Sequence, residues 1–206
     1  MTAHPNPTCI VFDIGNVLIE WDPRHLYKKI FNDHTKMEWF LEHVFTMDMN
    51  RECDRGLLFA DAVADATARF PDWHEEIRAF DERWTEMVPG AIAGSVELLA
   101  EIRQKNIPNY AITNFSHEKF AIARQRFDFL NDFAVTIVSG EEQLLKPDAA
   151  IYNLFLNRAK LPAHDCVFID DTKANVHAAE AVGMHAIHFK DPIDLRMNLR
   201  RLGFDL

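Results

Sequence analysis

Four groups of polar residues in this sequence have side chains suited to holding and attacking an anionic group. In chain order they are Asp13 with Gly15 and Asn16, Thr113 with Asn114, Lys146 before Pro147, and Asp170 and Asp171 with Asn175. The acids and the threonine follow short apolar runs, which is typical of buried parallel strands that end at a ligand site. A turn after a strand would explain Asp13 and Gly15 equally well if they stood alone.

The adjacent acids Asp170 and Asp171 indicate a metal. At an effective dielectric constant of about 20, two like charges roughly 4 Å apart cost about 4 kcal/mol. A helix N-cap would explain one of these acids but not both. Together with Asp13 they carry three negative charges, which Lys146 and one divalent cation would balance. Hard oxygen ligands suit Mg²⁺, so the sequence predicts a magnesium cofactor and a neutral site that a phosphate can enter.

Short apolar runs alternate with amphipathic stretches through most of the chain. The predicted strands are 8–12, 109–113, 135–139, 166–169 and 185–189. The predicted helices between the later strands are 95–105, 117–127, 148–159 and 174–182. This alternation is typical of βαβ units, so we expect an α/β fold with a Rossmann-like parallel sheet and helices on both of its faces.

The interval 21–88 interrupts this alternation, because it has helical apolar stripes but no convincing strand. We therefore predict a core formed by residues 1–20 and 89–206, and an inserted small α-helical cap domain, residues 21–88. The cap would cover the carboxyl edge of the sheet. The candidates to face the site from the cap are Trp39, Phe40, Phe45, Arg51, Asp54 and Arg55. Aromatic residues at helical spacing belong more often to a core, so the three polar residues are the preferred candidates.

Charge and composition exclude several classes of protein. The 206 residues carry a formal net charge of −10, which argues against a general binder of nucleic acid or of anionic membranes. No apolar run is long enough to span a bilayer, and we find no export signal. The three cysteines are widely spaced, so we expect a cytoplasmic protein. Monomer and homodimer both stay open, because Trp84 and Met87 fit either a dimer contact or a contact between cap and core.

The four polar groups, in this order and at strand ends, resemble the motifs of the haloacid dehalogenase superfamily. The resemblance is to the subclass with a small helical cap after the first strand, and it extends over nearly the whole chain. It implies a hydrolase acting on a small-molecule phosphate ester or a halocarboxylate. The segments Glu20–Arg24 and Asp54–Gly56 also resemble a bacterial branch that includes sugar-phosphate phosphatases.

This resemblance implies a role for each matching residue. Asp13 would be the nucleophile that forms an aspartyl-phosphate intermediate. Mg²⁺ would be held by Asp13, the backbone carbonyl of Gly15 and Asp171, with Asp170 and Asn175 supporting it. Lys146 and Thr113 would act on the transferring phosphoryl group. The remaining candidates for substrate binding are Asn114, Gly15, Asn16, Arg24 and Arg55.

One position departs from the family pattern. Most phosphatases of this superfamily carry a second aspartate two residues after the nucleophile as general acid and base, and here that residue is Gly15. General acid catalysis is worth about 10²–10⁴-fold in rate. Its loss favours leaving groups that need no proton, such as those of anomeric sugar phosphates and acyl phosphates. Glu20 or Asp22 is a candidate substitute, although either also fits a structural role at a helix start.

Three functions stay open at this point. The first is a Mg²⁺-dependent phosphatase acting on a sugar phosphate or acyl phosphate. The second is a 2-haloacid dehalogenase, in which Asp13 attacks carbon without a metal and an arginine such as Arg24, Arg51 or Arg55 holds the substrate carboxylate. The third is a non-catalytic binding protein. Asp170 and Asp171 favour the phosphatase, because without a metal they would repel a halocarboxylate.

Overall fold

The computed structural model describes residues 6–206 and contains a five-stranded parallel sheet in the order β3-β2-β1-β4-β5. The strands are β1 Cys9–Phe12, β2 Asn109–Thr113, β3 Thr136–Val138, β4 Cys166–Asp170 and β5 His185–His188. This confirms the predicted α/β fold and parallel sheet. Every predicted strand is present, with ends that differ by at most one residue.

Alternating side chains of the central strand β1 face the two sides of the sheet, as strand geometry requires. Ile10 and Phe12 pack into the larger apolar cluster, which continues into the helices between β1 and β2. Cys9 and Val11 pack into the smaller cluster on the opposite face. Both faces of β1 are buried, which explains why its sequence is apolar throughout.

Eleven α-helices surround the sheet within the described part of the chain. They are α1 Arg24–Ile30, α2 His34–His43, α3 Met47–Asp54, α4 Phe59–Arg69, α5 His74–Glu82, α6 Ala93–Gln104, α7 His117–Arg126, α8 Ser139–Glu142, α9 Ala149–Ala159, α10 Lys173–Ala181 and α11 Pro192–Arg201. The first five lie between β1 and α6 and, with two short 3-10 helices, account for the segment in which the sequence predicted no strand.

Helices α1 to α5 form a packed unit around aromatic side chains. The Tyr27 ring lies 5.0 Å from the ring of Phe40 and 5.6 Å from that of Phe45, and Phe80 contacts Phe45 at 4.4 Å. Together these contacts bury apolar area that short helices of seven to eleven residues need for stability. We call residues 21–88 the insertion below.

Helix α11 was not predicted from the sequence. Its N-terminus is capped by Asp191, which accepts hydrogen bonds from the N–H groups of Ile193 and Asp194. We call the rest of the described chain, residues 6–20 and 89–206, the sheet domain. Trp84 and Met87 are buried, and the Trp84 ring lies 5.7 Å from the ring of Phe115 in the sheet domain. Between residues 6 and 206, no helix combines the length and apolar character needed to cross a membrane.

Candidate active site

The carboxyl ends of three neighbouring strands bring most of the predicted polar groups together. β1 lies in the middle of the sheet, between β2 and β4, with Phe12 opposite Ile169 of β4. Asp13 follows β1 directly, and its N–H donates to the carbonyl of Ile169 at 2.8 Å. Thr113 ends β2 and Asp170 ends β4. The site therefore lies where open parallel sheets place their ligands.

Lys146 is the cation at the centre of this site and is 1% exposed. Its Nζ lies 2.8 Å from Asp13 Oδ1 and 2.7 Å from Asp170 Oδ2. Asn114 fixes the lysine backbone from β2, since its Oδ1 accepts from the Lys146 N–H at 2.8 Å and its Nδ2 donates to the Lys146 carbonyl at 3.0 Å. The side chain of Asn114 therefore positions Lys146 and has its amide engaged.

The two acids after β4 have different surroundings. Asp170 is fully buried and accepts from Lys146 Nζ, from the Thr172 N–H at 2.8 Å, and from Asn175 Nδ2 at 3.0 Å to each oxygen. Its lone pairs are largely engaged, which suits a supporting role. Asp171 is half-buried, and its side chain makes one long hydrogen bond, from Thr172 Oγ1 at 3.4 Å. Its carboxylate is therefore the freer of the two to bind a ligand.

The charges of this cluster do not balance without a further cation. Carboxylate oxygens of Asp13, Asp170 and Asp171 all lie within 4.8 Å of one another. Burial raises the pKa of Asp13 to about 8; the ammonium of Lys146 opposes this rise, and Asp170 and Asp171 add to it. Burial and the charge of Asp170 also raise the pKa of Asp171. A set of hard oxygen ligands with excess negative charge fits Mg²⁺.

Thr113 provides an unused donor beside the acids. Its side chain is fully buried at the end of β2, and its Oγ1 has no hydrogen-bond partner among the described residues. A buried hydroxyl without a partner costs free energy, so its retention calls for an explanation such as a ligand oxygen. Thr113 itself does not line the cavity described next, and its Oγ1 is a free donor at the carboxyl end of β2.

A cavity of about 210 Å³ lies between these strand ends and the insertion. Its polar side comprises Asp13, Gly15, Asn16, Asn114, Ser116, Lys119, Lys146, Asp171, Thr172 and Asn175. The insertion and one loop of the sheet domain add Trp21, Met47, Asn50, Asp54, Phe59, Trp84 and Phe115. The cavity thus joins a charged floor to a wall that is largely apolar.

Two predicted substrate-binding residues lie at this cavity through the loop after β1. Gly15 and Asn16 both line it. Asn16 adopts a left-handed backbone conformation, with φ 54°, and its Oδ1 accepts from the Trp21 N–H at 2.9 Å. Asparagine is among the residues that tolerate this conformation best. The turn directs the chain from the acid at position 13 into the insertion.

The structure does not bring Arg24 to the cavity. Its guanidinium forms two hydrogen bonds with the carboxylate of Glu38, at 2.8 and 2.7 Å, on the surface of the insertion. Asp22 accepts from the Arg24 N–H at 2.8 Å, and Glu20 is exposed. None of these three residues lines the cavity. Glu20 and Asp22 therefore supply no proton donor there, and Asp22 has the structural role at a helix start that the sequence also allowed.

The predicted cap candidates divide in the same way. Arg51 and Arg55 do not line the first cavity; they line a second one, of about 180 Å³, whose lining also includes Lys146. Trp39 is exposed at 43%, whereas Phe40 and Phe45 are buried in the centre of the insertion. Asp54 is the member of this predicted set that lines the first cavity, within the described residues.

Sequence reasoning missed several residues that line the cavity. Met47 and Asn50 lie three residues apart on α3, and Asp54 lies four residues further on, so this spacing already indicates one helix face. Lys119 was also missed. It is 5% exposed, forms an ion pair with Asp81, and its Nζ lies 4.3 Å from the centroid of the Phe59 ring.

Comparisons with known proteins match most of the length of this chain. The family described as haloacid dehalogenase-like hydrolase matches residues 7–183. The sesquiterpene phosphatase astK of Aspergillus oryzae is 32% identical over 93% of this chain and 94% of that protein. A phosphorylated carbohydrates phosphatase of Thermotoga maritima is 27% identical over 87% of this chain and 83% of that protein.

The fold is also that of solved structures. A HAD family enzyme of Bacteroides thetaiotaomicron, in complex with magnesium and inorganic phosphate, superposes with a TM-score of 0.69. It is 21% identical and covers 90% of this chain and 95% of that one. At this identity the likeness concerns the fold.

Proposed function

The chain belongs to the haloacid dehalogenase-like hydrolases, and from this premise we propose that it is a Mg²⁺-dependent phosphatase acting on a small phosphorylated metabolite through a phosphate carried on Asp13. One observation carries the proposal: at the carboxyl end of β1, Asp13 and Asp170 share the buried ammonium of Lys146, and a third carboxylate, that of Asp171, lies within 4.8 Å of both. That arrangement fits one divalent cation and one phosphate.

In the proposed reaction a carboxylate oxygen of Asp13 attacks phosphorus and the bond to the leaving group breaks. Lys146 holds that carboxylate at 2.8 Å and offsets the charge that develops on the phosphoryl oxygens. Thr113 Oγ1 donates to one of those oxygens, which gives the orphaned hydroxyl its partner. Water then attacks the phosphorus of the aspartyl phosphate and frees Asp13.

The residues that would hold Mg²⁺ are Asp13, the Gly15 carbonyl and Asp171. Bound there, Mg²⁺ would offset the negative charge of these acids, so that a phosphate dianion can approach them. Asp170 keeps Lys146 and Asn175 in place through its hydrogen bonds. Asn175 in turn lines the cavity beside Asp171.

For the substrate we propose a sugar phosphate or an acyl phosphate. The absence of a carboxylate at Gly15 supports leaving groups that need little protonation, and a relative is named for phosphorylated carbohydrates. A phosphate ester with an apolar leaving group is the second candidate. It is favoured by the aromatic wall formed by Trp21, Phe59 and Trp84, and by the likeness to a sesquiterpene phosphatase. The three cysteines are free and buried, which supports a cytoplasmic location.

Two alternatives fit the site less well. A 2-haloacid dehalogenase would need a free cation for the substrate carboxylate. Among the described residues no arginine lines the cavity, its two lysines are paired with Asp81 and with Asp13 and Asp170, and Asp171 faces it. A purely binding protein has no use for a nucleophile held between Lys146 and two further acids, because burying this charge is costly. Both alternatives make predictions that differ from those of a phosphatase.

The deciding experiment measures inorganic phosphate and halide release side by side, with Mg²⁺ or with EDTA. The substrates are glucose 1-phosphate, acetyl phosphate, an aryl phosphate and 2-chloropropionate. Asp13→Asn removes the nucleophile, and Asp128→Asn, an exposed acid outside the cavity, is the matched control. We expect Mg²⁺-dependent phosphate release that only Asp13→Asn abolishes. Chloride release in EDTA would make the protein a dehalogenase, and no release of either product would leave a binding protein.

A further inference from the structure

The position that lacks the expected acid opens onto empty space. A Cβ atom added to Gly15 would meet no heavy atom within 4 Å, and Gly15 lines the cavity. Because position 15 is a glycine, the site lacks a carboxylate there, and the space that such a side chain would occupy is empty. A group from elsewhere in the chain can therefore occupy this part of the cavity, which Asp13 also lines.

Asp54 reaches the same cavity from the insertion. It is the last residue of α3, is half-buried, and its Oδ2 accepts from Asn50 Nδ2 at 2.9 Å. The backbone N–H of Ser116 also faces the carboxylate. Its partners come from α3 and from the loop after β2, so the carboxyl group is held at the contact between the insertion and the sheet domain.

The backbone around Asp54 is tied to the sheet domain as well. Ser139 Oγ, at the start of α8, donates to the Asp54 carbonyl at 2.5 Å. Two residues further on, Gly56 has φ 115°, and a Cβ there would lie 3.1 Å from the carbonyl oxygen of Gly140. The chain passes too close to α8 for an ordinary side chain. The Ser139 hydrogen bond and this contact hold the backbone at the end of α3 against α8.

The pKa of Asp54 allows this side chain to give and take a proton near neutral pH. Burial raises its pKa to about 7, against the opposing effects of the Ser116 N–H, the Lys146 ammonium and Asn50. The other charged groups that line the cavity are Asp13, Lys119 and Asp171. A catalytic acid is most effective when its pKa lies near the working pH.

We propose that Asp54 is the general acid and base of this active site, supplied by the insertion in place of the aspartate that position 15 lacks. The inference rests on the proposed phosphatase function. As the bond from phosphorus to the leaving oxygen breaks, the carboxylic acid of Asp54 gives its proton to that oxygen, and an alcohol leaves. The Asp54 carboxylate then takes a proton from the attacking water, the bond from phosphorus to Asp13 breaks, and inorganic phosphate leaves with Asp54 protonated again.

This assignment widens the substrate class. An acid on the leaving-group side permits alkoxide leaving groups, so the substrates include phosphate monoesters of ordinary alcohols as well as acyl and anomeric phosphates. The apolar wall beside Asp54, which includes Met47 and Phe59, fits the carbon skeleton of such an alcohol.

The test compares Asp54→Asn with wild type on two substrates, p-nitrophenyl phosphate and 3-phenylpropyl phosphate, in the presence of Mg²⁺. The nitrophenolate leaves without a proton, whereas the alkoxide needs one. We expect kcat/KM for the alkyl ester to fall by about 10²–10⁴-fold and that for the aryl ester by less than about tenfold. The aryl ester should also give a burst of nitrophenolate, because hydrolysis of the phosphate on Asp13 loses its base. Asp48→Asn, an exposed acid on the same helix, is the matched control.

Wild-type protein provides a second readout that does not depend on the variant folding. Its kcat/KM for the alkyl ester should fall as pH rises above about 7, because Asp54 loses its proton. The kcat/KM for the aryl ester should not fall in this way. Equal losses on both substrates in Asp54→Asn, or no loss, would overturn the inference while leaving the phosphatase intact. Wild-type protein that releases no phosphate from either ester would overturn the proposed function and this inference with it.

Discussion

Replacing Asp54 with asparagine should stabilise the protein at alkaline pH. Burial raises the pKa of this carboxyl group to about 7 from its ordinary value of 3.8, so the folded chain binds a proton more tightly than the unfolded chain does. The stabilisation from this group is therefore complete below pH 3.8 and is lost as pH rises through about 7. Asparagine has the same shape and no charge, so its contribution does not change with pH.

The size of the effect follows from the shift. At about 1.36 kcal/mol for each pKa unit, the ionised carboxylate costs the folded state at most about 4 kcal/mol at pH 8. Asp54 is half-buried, so water screens part of this cost, and we expect Asp54→Asn to raise the free energy of unfolding by about 1–3 kcal/mol. Asn50 can reverse its amide and accept from the new side chain, so that contact is kept.

Urea unfolding in EDTA at pH 8 and at pH 5 measures this effect. The gain from Asp54→Asn should be larger at pH 8, where the wild-type group is ionised in both states, than at pH 5, where the folded group is protonated. Asp48→Asn should change neither value by more than about 0.5 kcal/mol. A loss of stability at pH 8 would refute the reasoning, because it would make the carboxylate a structural link to Asn50 and Ser116.

Two further substitutions test the architecture of the site. Lys146→Met leaves two buried acids without their counter-ion, so urea unfolding at pH 8 should show that the free energy of unfolding falls by about 3–5 kcal/mol. Adding Asp170→Asn to the same chain should restore part of this loss. An unchanged unfolding midpoint for Lys146→Met would contradict the expectation. Gly140→Ala puts a Cβ 2.7 Å from the backbone nitrogen of His117 and should lower stability by about 1–3 kcal/mol or more in a thermal melt, whereas Gly90→Ala, which meets nothing within 4 Å, should change little.

The strands of the sheet could be predicted because each one is recognisable from its own short stretch of sequence. Buried parallel strands must be apolar on both faces, so β1 and β4 stand out as short apolar runs that end in acids. The strand order was not predicted, and it is the neighbouring position of β1 and β4 in the sheet that brings Asp13 beside Asp170. Helix α11 begins with the local signals Asp191 and Pro192, but it follows the last strand and so belongs to no βαβ unit.

The parts of the site that could not be predicted depend on contacts between distant segments. Asn114 and Lys146 are 32 residues apart, and only the folded chain shows that the amide of one holds the backbone of the other. The surface position of Arg24 depends on Glu38, a partner in another helix. The spacing of Asn50 and Asp54 indicates a shared helix face, but which face of α3 turns toward the sheet is decided by packing.

With Asp54 as the proton donor, proton transfer depends on how the insertion rests on the sheet domain. Asp54 stays in the cavity through contacts that cross this boundary, including Ser139 Oγ to its carbonyl, and Glu118 Oε2, which accepts from the Phe59 N–H at 2.9 Å. The nucleophile and Lys146 belong to the sheet domain alone, whereas the acid arrives with the insertion. A leaving group that keeps the insertion from packing on the sheet domain would leave the substrate next to the nucleophile but away from the proton donor. Selection among alcohols would therefore act on protonation of the leaving group more than on binding of the phosphate.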